Sequence, residues 1–176
     1  MKTTKSIAMM LSVTSLFVYS FVLTTYASSP PATDYTMQTL YIFNFIKYVE
    51  WPGGSKAVKI GVVDNASAEE YLMKMAKAKS TTGSAITVIN TRSENELGSC
   101  QIIFIPSNSM HLADRIIEHF SNQPILIVTE EADFTEKGAS VSFKIVSGKL
   151  RFQLNENAIK SSGLKVANAL LALAEK

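Results

Sequence analysis

Residues Gln101–Thr129, QIIFIPSNSMHLADRIIEHFSNQPILIVT, decide the fold. Gln101 to Ile105 (QIIFI) and Pro124 to Thr129 (PILIVT) are short, β-rich apolar runs, and the segment from about Ser109 to Phe120 between them reads as a helix. Near-continuous apolar strands separated by a helix imply a parallel sheet covered on both faces. Toward the N-terminus, Ala57 to Val63 (AVKIGVV) is a further strand bounded by Asp64-Asn65, and Ala85 to Asn90 (AITVIN) is another. Between them Ser67 is the expected N-cap of a helix through Lys79, with Tyr71, Leu72 and Met75 among its apolar members.

Toward the C-terminus the pattern changes to strict alternation. Val141, Phe143 and Ile145 alternate with Ser142 and Lys144, and Leu150, Phe152 and Leu154 alternate with Arg151 and Gln153. Ser147-Gly148 separates the two runs, which is a hairpin signal. Pairing Val146 with Lys149 sets Ile145 opposite Leu150, Phe143 opposite Phe152 and Val141 opposite Leu154, all on one face. Asn155 then caps a helix with Glu156 in its first turn and Gly163 breaks it. Leu164, Ala167, Leu171 and Ala174 are expected to line a final amphipathic helix.

Ahead of the strands, Leu40 to Pro52 (LYIFNFIKYVEWP) concentrates Tyr41, Phe43, Phe45, Tyr48 and Trp51. At helical spacing Tyr41, Phe45 and Tyr48 form one apolar row and Ile42, Ile46 and Val49 a second, leaving a narrow polar stripe of Asn44, Lys47 and Glu50. Such a helix is buried on most of its circumference, ends at Pro52, and uses Trp51 to anchor itself against the sheet. The whole is one α/β domain: a three-layer arrangement with a mostly parallel central sheet flanked by helices, a C-terminal hairpin and two terminal helices.

Residues 1–27 read as a cleaved secretory signal, with Lys2 and Lys5 ahead of an apolar run from Ile7 to Leu23 and Thr25-Tyr26-Ala27 at the cleavage site. An uncleaved membrane anchor is the alternative, because the run is near the lower limit for spanning a bilayer. The expected domain is then residues 28–176, exported to the periplasm and not inserted in the membrane. Without Lys2 and Lys5 the 17 basic residues fall to 15, equal to the 15 acidic ones. A neutral domain lacks the concentrated positive face that nucleic acid requires. Its single cysteine, Cys100, leaves an exported chain to rely on its core for stability. Cys100 reads as a buried inert thiol beside the following strand, with an intermolecular bridge or redox sensor as the other reading.

The chain offers few groups for chemistry. The first strand-to-helix junction, Asp64-Asn65-Ala66-Ser67, has neither the glycines nor the lysine that cradle phosphate. Ile105-Pro106-Ser107 lacks the aspartate that a receiver domain places at the end of its central strand, and no G-x-S-x-G elbow surrounds a serine. His111 and His119, eight apart on one expected helix, stand roughly 12 Å from each other and share no metal ion. No cofactor, metal or catalytic residue is expected.

Glu130-Glu131-Ala132-Asp133 reads as solvated loop acids or a helix start. If a ligand binds, α/β folds place it at the strand-end loops, here Asp64, Asn65, Ser107, Asn108, Thr129 and Glu130. On the outward face of the hairpin Lys144 and Arg151 lie diagonally or directly across from one another near Gln153. These three are the candidate partner surface, and edge protection is the alternative.

In this order, YVEWP, KIGVV, CQIIFIP, ILIVTE, the G-x-x-V-S-F hairpin with LRFQLN and the closing LxxANALLALA resemble the YfiR-like family of exported proteins. The specificity lies in combining the N-terminal block (Tyr48, Glu50, Trp51, Pro52) with the C-terminal pattern (Gly138, Arg151, Phe152, Asn155, Gly163, Leu164, Leu170, Leu171, Ala174). The resemblance implies a non-catalytic periplasmic regulator that binds the periplasmic sensor region of an inner-membrane diguanylate cyclase and represses it, lowering cyclic-di-GMP signalling. It also implies a homodimer. Family members with regulatory disulfides carry more cysteines than this chain. The alternative functions are a periplasmic small-ligand-binding module and a sensor-kinase accessory protein.

Overall fold

A computed structural model describes residues 33–54, 57–80 and 85–175; the expected signal peptide lies outside them. The chain begins with helix α1 (Thr36–Tyr48), a two-residue strand β1 (Val49–Glu50) and strand β2 (Val58–Val62). Helix α2 (Ala66–Lys79) leads to β3 (Ile86–Asn90), the short helix α3 (Glu94–Leu97) to β4 (Ile102–Ile105), and a 3-10 segment (Ser107–Leu112) continued by α4 (Ala113–Phe120) to β5 (Leu126–Thr129). Strands β6 (Val141–Val146) and β7 (Lys149–Leu154) precede α5 (Glu156–Ser161), β8 (Lys165–Val166) and α6 (Asn168–Leu171).

Six strands form the central sheet in the order β3-β2-β4-β5-β6-β7, parallel except where β7 returns antiparallel beside β6. Successive side chains of a strand point to opposite faces, so strands that are apolar throughout feed two cores. Ile60, Val62, Ile102, Phe104, Leu126 and Val128 pack on one face against Tyr35, Ile42 and Phe45, Ala68 and Leu72 of α2, and the C-terminal Ile159, Leu164 and Leu170. Ile103, Ile105 and Ile127 pack on the other against Leu97, Cys100, Ile116, Ile117 and Phe120. The mostly parallel, two-sided sheet expected from the sequence is the sheet observed.

The hairpin register is the expected one: Val141 faces Leu154, Phe143 faces Phe152, Ile145 faces Leu150 and Val146 faces Lys149. Ser147 and Gly148 both hold positive φ, +50° and +72°, the backbone twist that suits a two-residue connection. Phe143 and Phe152 meet the rings of Tyr41 and Phe45 at centroid separations of 5.2 to 6.2 Å. That aromatic cluster clamps α1 to the hairpin.

Four local expectations are corrected. The aromatic helix stops at Tyr48, not at Pro52: Val49 and Glu50 turn extended and pair with Val166 and Lys165. A β-branched valine loses little by leaving a helix, and the backbone partners come from the far end of the chain. The same pairing dissolves the expected terminal helix, since Lys165–Val166 is strand and only Asn168–Leu171 is helical. The cap of α2 is Asn65 and not Ser67; its Oδ1 accepts the Ala68 N–H at 2.8 Å. The helix expected over Ser109–Phe120 is divided, with His111 in the 3-10 segment and His119 in α4.

Trp51 does tie the WP block to the sheet: its Nε1–H donates to the Gln101 carbonyl at 3.2 Å, and its ring packs on the first core. Asn155 caps α5 as expected, accepting the Ala158 N–H at 2.9 Å.

Candidate functional site

From β2 the chain moves outward to β3, then crosses back to β4 and continues the other way. The reversal leaves a crevice at the carboxyl ends of β2 and β4, where open α/β sheets accommodate ligands. Asp64 and Asn65 leave β2 there, Ser107 and Asn108 leave β4, and Thr129 and Glu130 end β5. The fold therefore carries five of the six strand-end candidates, Asp64, Asn65, Ser107, Asn108 and Glu130, to one rim.

At that rim the polar groups satisfy one another. Asn65 Nδ2 donates to Asn108 Oδ1 at 2.7 Å and to the Tyr35 hydroxyl oxygen at 2.9 Å, while Asn108 Nδ2 donates to the Asp64 carbonyl at 2.9 Å. Beneath them the buried Ser109 hydroxyl donates to the Val63 carbonyl at 2.7 Å. Glu130 accepts the Ser107 N–H at 2.8 Å on one oxygen and Gln38 Nε2 at 2.9 Å on the other. Asp64 holds a left-handed backbone, φ +49°, and pairs with Arg92, whose hydrogen bond keeps its carboxyl below the usual range. Thr129 is different: it is buried, and its hydroxyl lies 2.9 Å from Ser142 Oγ on the neighbouring strand, away from the rim.

Two contributors were invisible as site residues in the sequence. Tyr35 and Gln38 sit at the start of α1 and are brought over the crevice only when that helix docks. Burial, and then the charge of Glu130, push the Tyr35 phenol up to about 12. At neutral pH it is a protonated phenol, poorly suited to act as a base. Tyr35 and Gln38 thus engage Asn65 and Glu130 at the rim from the start of the chain's own first helix.

A separate groove of about 290 Å³ runs between α1 and α2, lined by Thr36, Thr39, Tyr71, Lys74, Met75 and Ala78. Thr39 is buried there, and its hydroxyl has no hydrogen-bond partner among the described residues.

On the hairpin, Lys144 and Arg151 are directly opposite in the register. Arg151 Nε approaches Glu175 Oε1 at 3.6 Å, and Glu175 also donates its N–H to the Phe152 carbonyl at 2.9 Å and bridges to Gln153. The C-terminal segment therefore covers part of the outer edge of β7. Gln153 is half-buried with its Oε1 unpartnered, whereas Lys144 has no ion pair among the described residues. The three expected partner residues are adjacent yet in three different situations.

Cys100 is buried, and that burial pushes its thiol up. His119 Nδ1 lies 3.5 Å from a Glu94 oxygen whose companion binds Arg115 at 3.0 Å. No group of three or more histidine, cysteine, aspartate or glutamate side chains gathers at metal-binding distance among the described residues.

One solved structure similar to this chain is described as the ABC domain in complex with L-Trp from Streptococcus pneumonia. It has 13% sequence identity and a TM-score of 0.47, and the match covers 66% of this chain and 54% of that one, so this chain spans about half of its length. The family model described as YfiR/HmsC-like matches residues 35–175. That span runs from the tyrosine over the crevice to the glutamate on the hairpin edge, and takes in both sequence blocks that carried the resemblance. With most of its length matched, the chain belongs to the YfiR/HmsC-like family.

Proposed function

We propose that this protein is a non-catalytic periplasmic regulator that binds the periplasmic sensor region of an inner-membrane diguanylate cyclase and holds the enzyme inactive. The observation that carries the reading is the family match over residues 35–175. Supporting it, the polar groups at the switch-point crevice are engaged with each other, so the rim offers interaction surface more readily than reactive groups. No helix among the described residues is long and apolar enough to cross a membrane.

The mechanism is a population shift. A regulator that binds the inactive conformation of the cyclase better than the active one lowers cyclic-di-GMP synthesis across the membrane without any chemistry of its own. Moving a two-state partner from almost wholly active to almost wholly inactive takes about 5.5 kcal/mol of differential affinity, and smaller shifts take less.

The test is capture of the cyclase's periplasmic region by the tagged mature protein, together with cyclic-di-GMP measured in cells with and without it. Capture and a rise in cyclic-di-GMP on deletion are expected. If nothing is captured and the nucleotide level is unchanged, the reading is wrong.

A further inference from the structure

The groove between α1 and α2 has a size, an unmet hydrogen bond and a charge that the packing of its two helices does not require. At about 290 Å³ it is close to the smallest small-molecule sites, roughly 300 Å³. It therefore suits a compact molecule and not a folded partner. The wall supplied by α2 is one helical face, Tyr71, Lys74, Met75 and Ala78 at spacings of three and four, and Met75 and Ala78 make it apolar around the lysine.

From α1 comes Thr39, 3% exposed, whose hydroxyl has no partner among the described residues. A helical threonine ordinarily bonds its hydroxyl back to a carbonyl one turn earlier. Here the Tyr35 carbonyl accepts the Thr39 N–H at 2.9 Å and nothing from the hydroxyl. A buried hydroxyl without a partner costs free energy that a valine of the same shape would avoid. Helix packing alone gives no reason for it.

Lys74 is the one charged residue among those lining the groove, and it makes no ion pair among the described residues. At the Thr36 end, Asp34 is committed to the Thr36 N–H at 2.9 Å and to the Tyr71 hydroxyl. The groove thus presents an ammonium group and an unengaged hydroxyl, both able to donate, and its lining contains no carboxylate.

We infer that this groove binds a small amphipathic carboxylate, such as a medium-chain fatty acid. Its hydrocarbon part lies along Met75 and Ala78, the Thr39 hydroxyl donates to one carboxylate oxygen, and Lys74, exposed on a long flexible stem, closes over the charge. The apolar lining selects such a molecule over an inorganic anion. The site is separate from the strand-end rim and independent of the proposed action on a cyclase.

The experiment is calorimetric titration of the mature protein with octanoate, octylamine and acetate. Octanoate is expected to bind, and the other two at least tenfold more weakly. Lys74→Gln removes a charge-assisted hydrogen bond and should weaken octanoate roughly tenfold or more. Ala78→Trp, at an exposed position, should fill the groove and abolish binding. Thr39→Val should weaken octanoate while the thermal midpoint of the ligand-free protein stays the same or rises, because no hydrogen bond is lost.

No octanoate binding, or binding of octylamine as tight as that of octanoate, overturns the assignment. Wild-type affinity in both Lys74→Gln and Ala78→Trp also overturns it, by putting the octanoate elsewhere on the protein. So does a lower midpoint for ligand-free Thr39→Val, since the hydroxyl would then be satisfied within the protein or by a bound water.

Discussion

Replacing Tyr35 with phenylalanine removes one hydroxyl from the sealed rim and separates two effects that act at different pH. At neutral pH the hydroxyl oxygen accepts from Asn65 Nδ2 at 2.9 Å inside a buried cluster where the Tyr35 ring meets Phe104 edge-on at 6.1 Å. Asn65 keeps Asn108 as a partner after the change, so the loss is that of one ordinary hydrogen bond, about 1 kcal/mol. In alkali the sign reverses. Burial and Glu130 raise the phenol of the folded state to about 12, against 10.0 for an unperturbed tyrosine. The unfolded chain therefore releases this proton first. The stability it contributes is complete below pH 10 and is lost as pH rises through 12. Linkage puts the loss at about 0.4 kcal/mol by pH 10 and about 1.4 kcal/mol by pH 11.

Tyr35→Phe lacks this term, so its deficit of about 1 kcal/mol at pH 7 should vanish between pH 10 and pH 11 and become an advantage of about 0.4 kcal/mol at pH 11. Urea unfolding at pH 7, 9, 10 and 11 reads the difference, with the single tryptophan, Trp51, as fluorophore. Subtracting the two proteins cancels the other tyrosines and the lysines. A gap that stays constant from pH 9 to pH 11 would refute the placement of a buried phenol against the Glu130 carboxylate.

Gly61 is the position in β2 where a side chain has no room: a Cβ would stand 2.7 Å from Leu97 Cδ2 and 3.0 Å from Cys100 Sγ. Gly61→Ala should lower stability by about 1 to 3 kcal/mol, and a further Leu97→Ala should worsen it by less than Leu97→Ala does alone; additive losses in chemical denaturation would count against the clash. Cys100, buried and with its thiol pushed up, should react with a thiol reagent in the native protein only as fast as the protein opens, and immediate labelling in buffer would contradict that. Trp51→Phe removes the bond to the Gln101 carbonyl and should cost about 1 kcal/mol by circular dichroism, with binding of the cyclase region unchanged; a larger effect on binding than on stability would make Trp51 a contact residue.

Much of the architecture was readable because its signals are local. Uninterrupted apolar strands such as Ile102–Ile105 and Leu126–Thr129 can only be buried on both faces, and alternation with a two-residue turn fixes the register of Val141–Leu154. The boundaries that sequence reading missed are those where a distant backbone competes with helix periodicity. Val49 and Val166 suit either helix or strand on pattern alone, and pairing across almost the whole domain decides for strand.

The candidate site divides in the same way. The sequence by itself placed Asp64, Asn65, Ser107, Asn108 and Glu130 on strand-end loops, and the parallel order of the strands gathers them on one rim. It also determined the family, through residues spread from Tyr48 to Ala174. Only the tertiary structure decided that Tyr35 and Gln38 engage the rim, that Glu175 engages Arg151, and that Ile145 is left exposed near the hairpin turn. The physical reason is that a side chain's chemistry is local, whereas whether its hydrogen bonds and charges are already satisfied depends on groups that arrive from elsewhere in the chain.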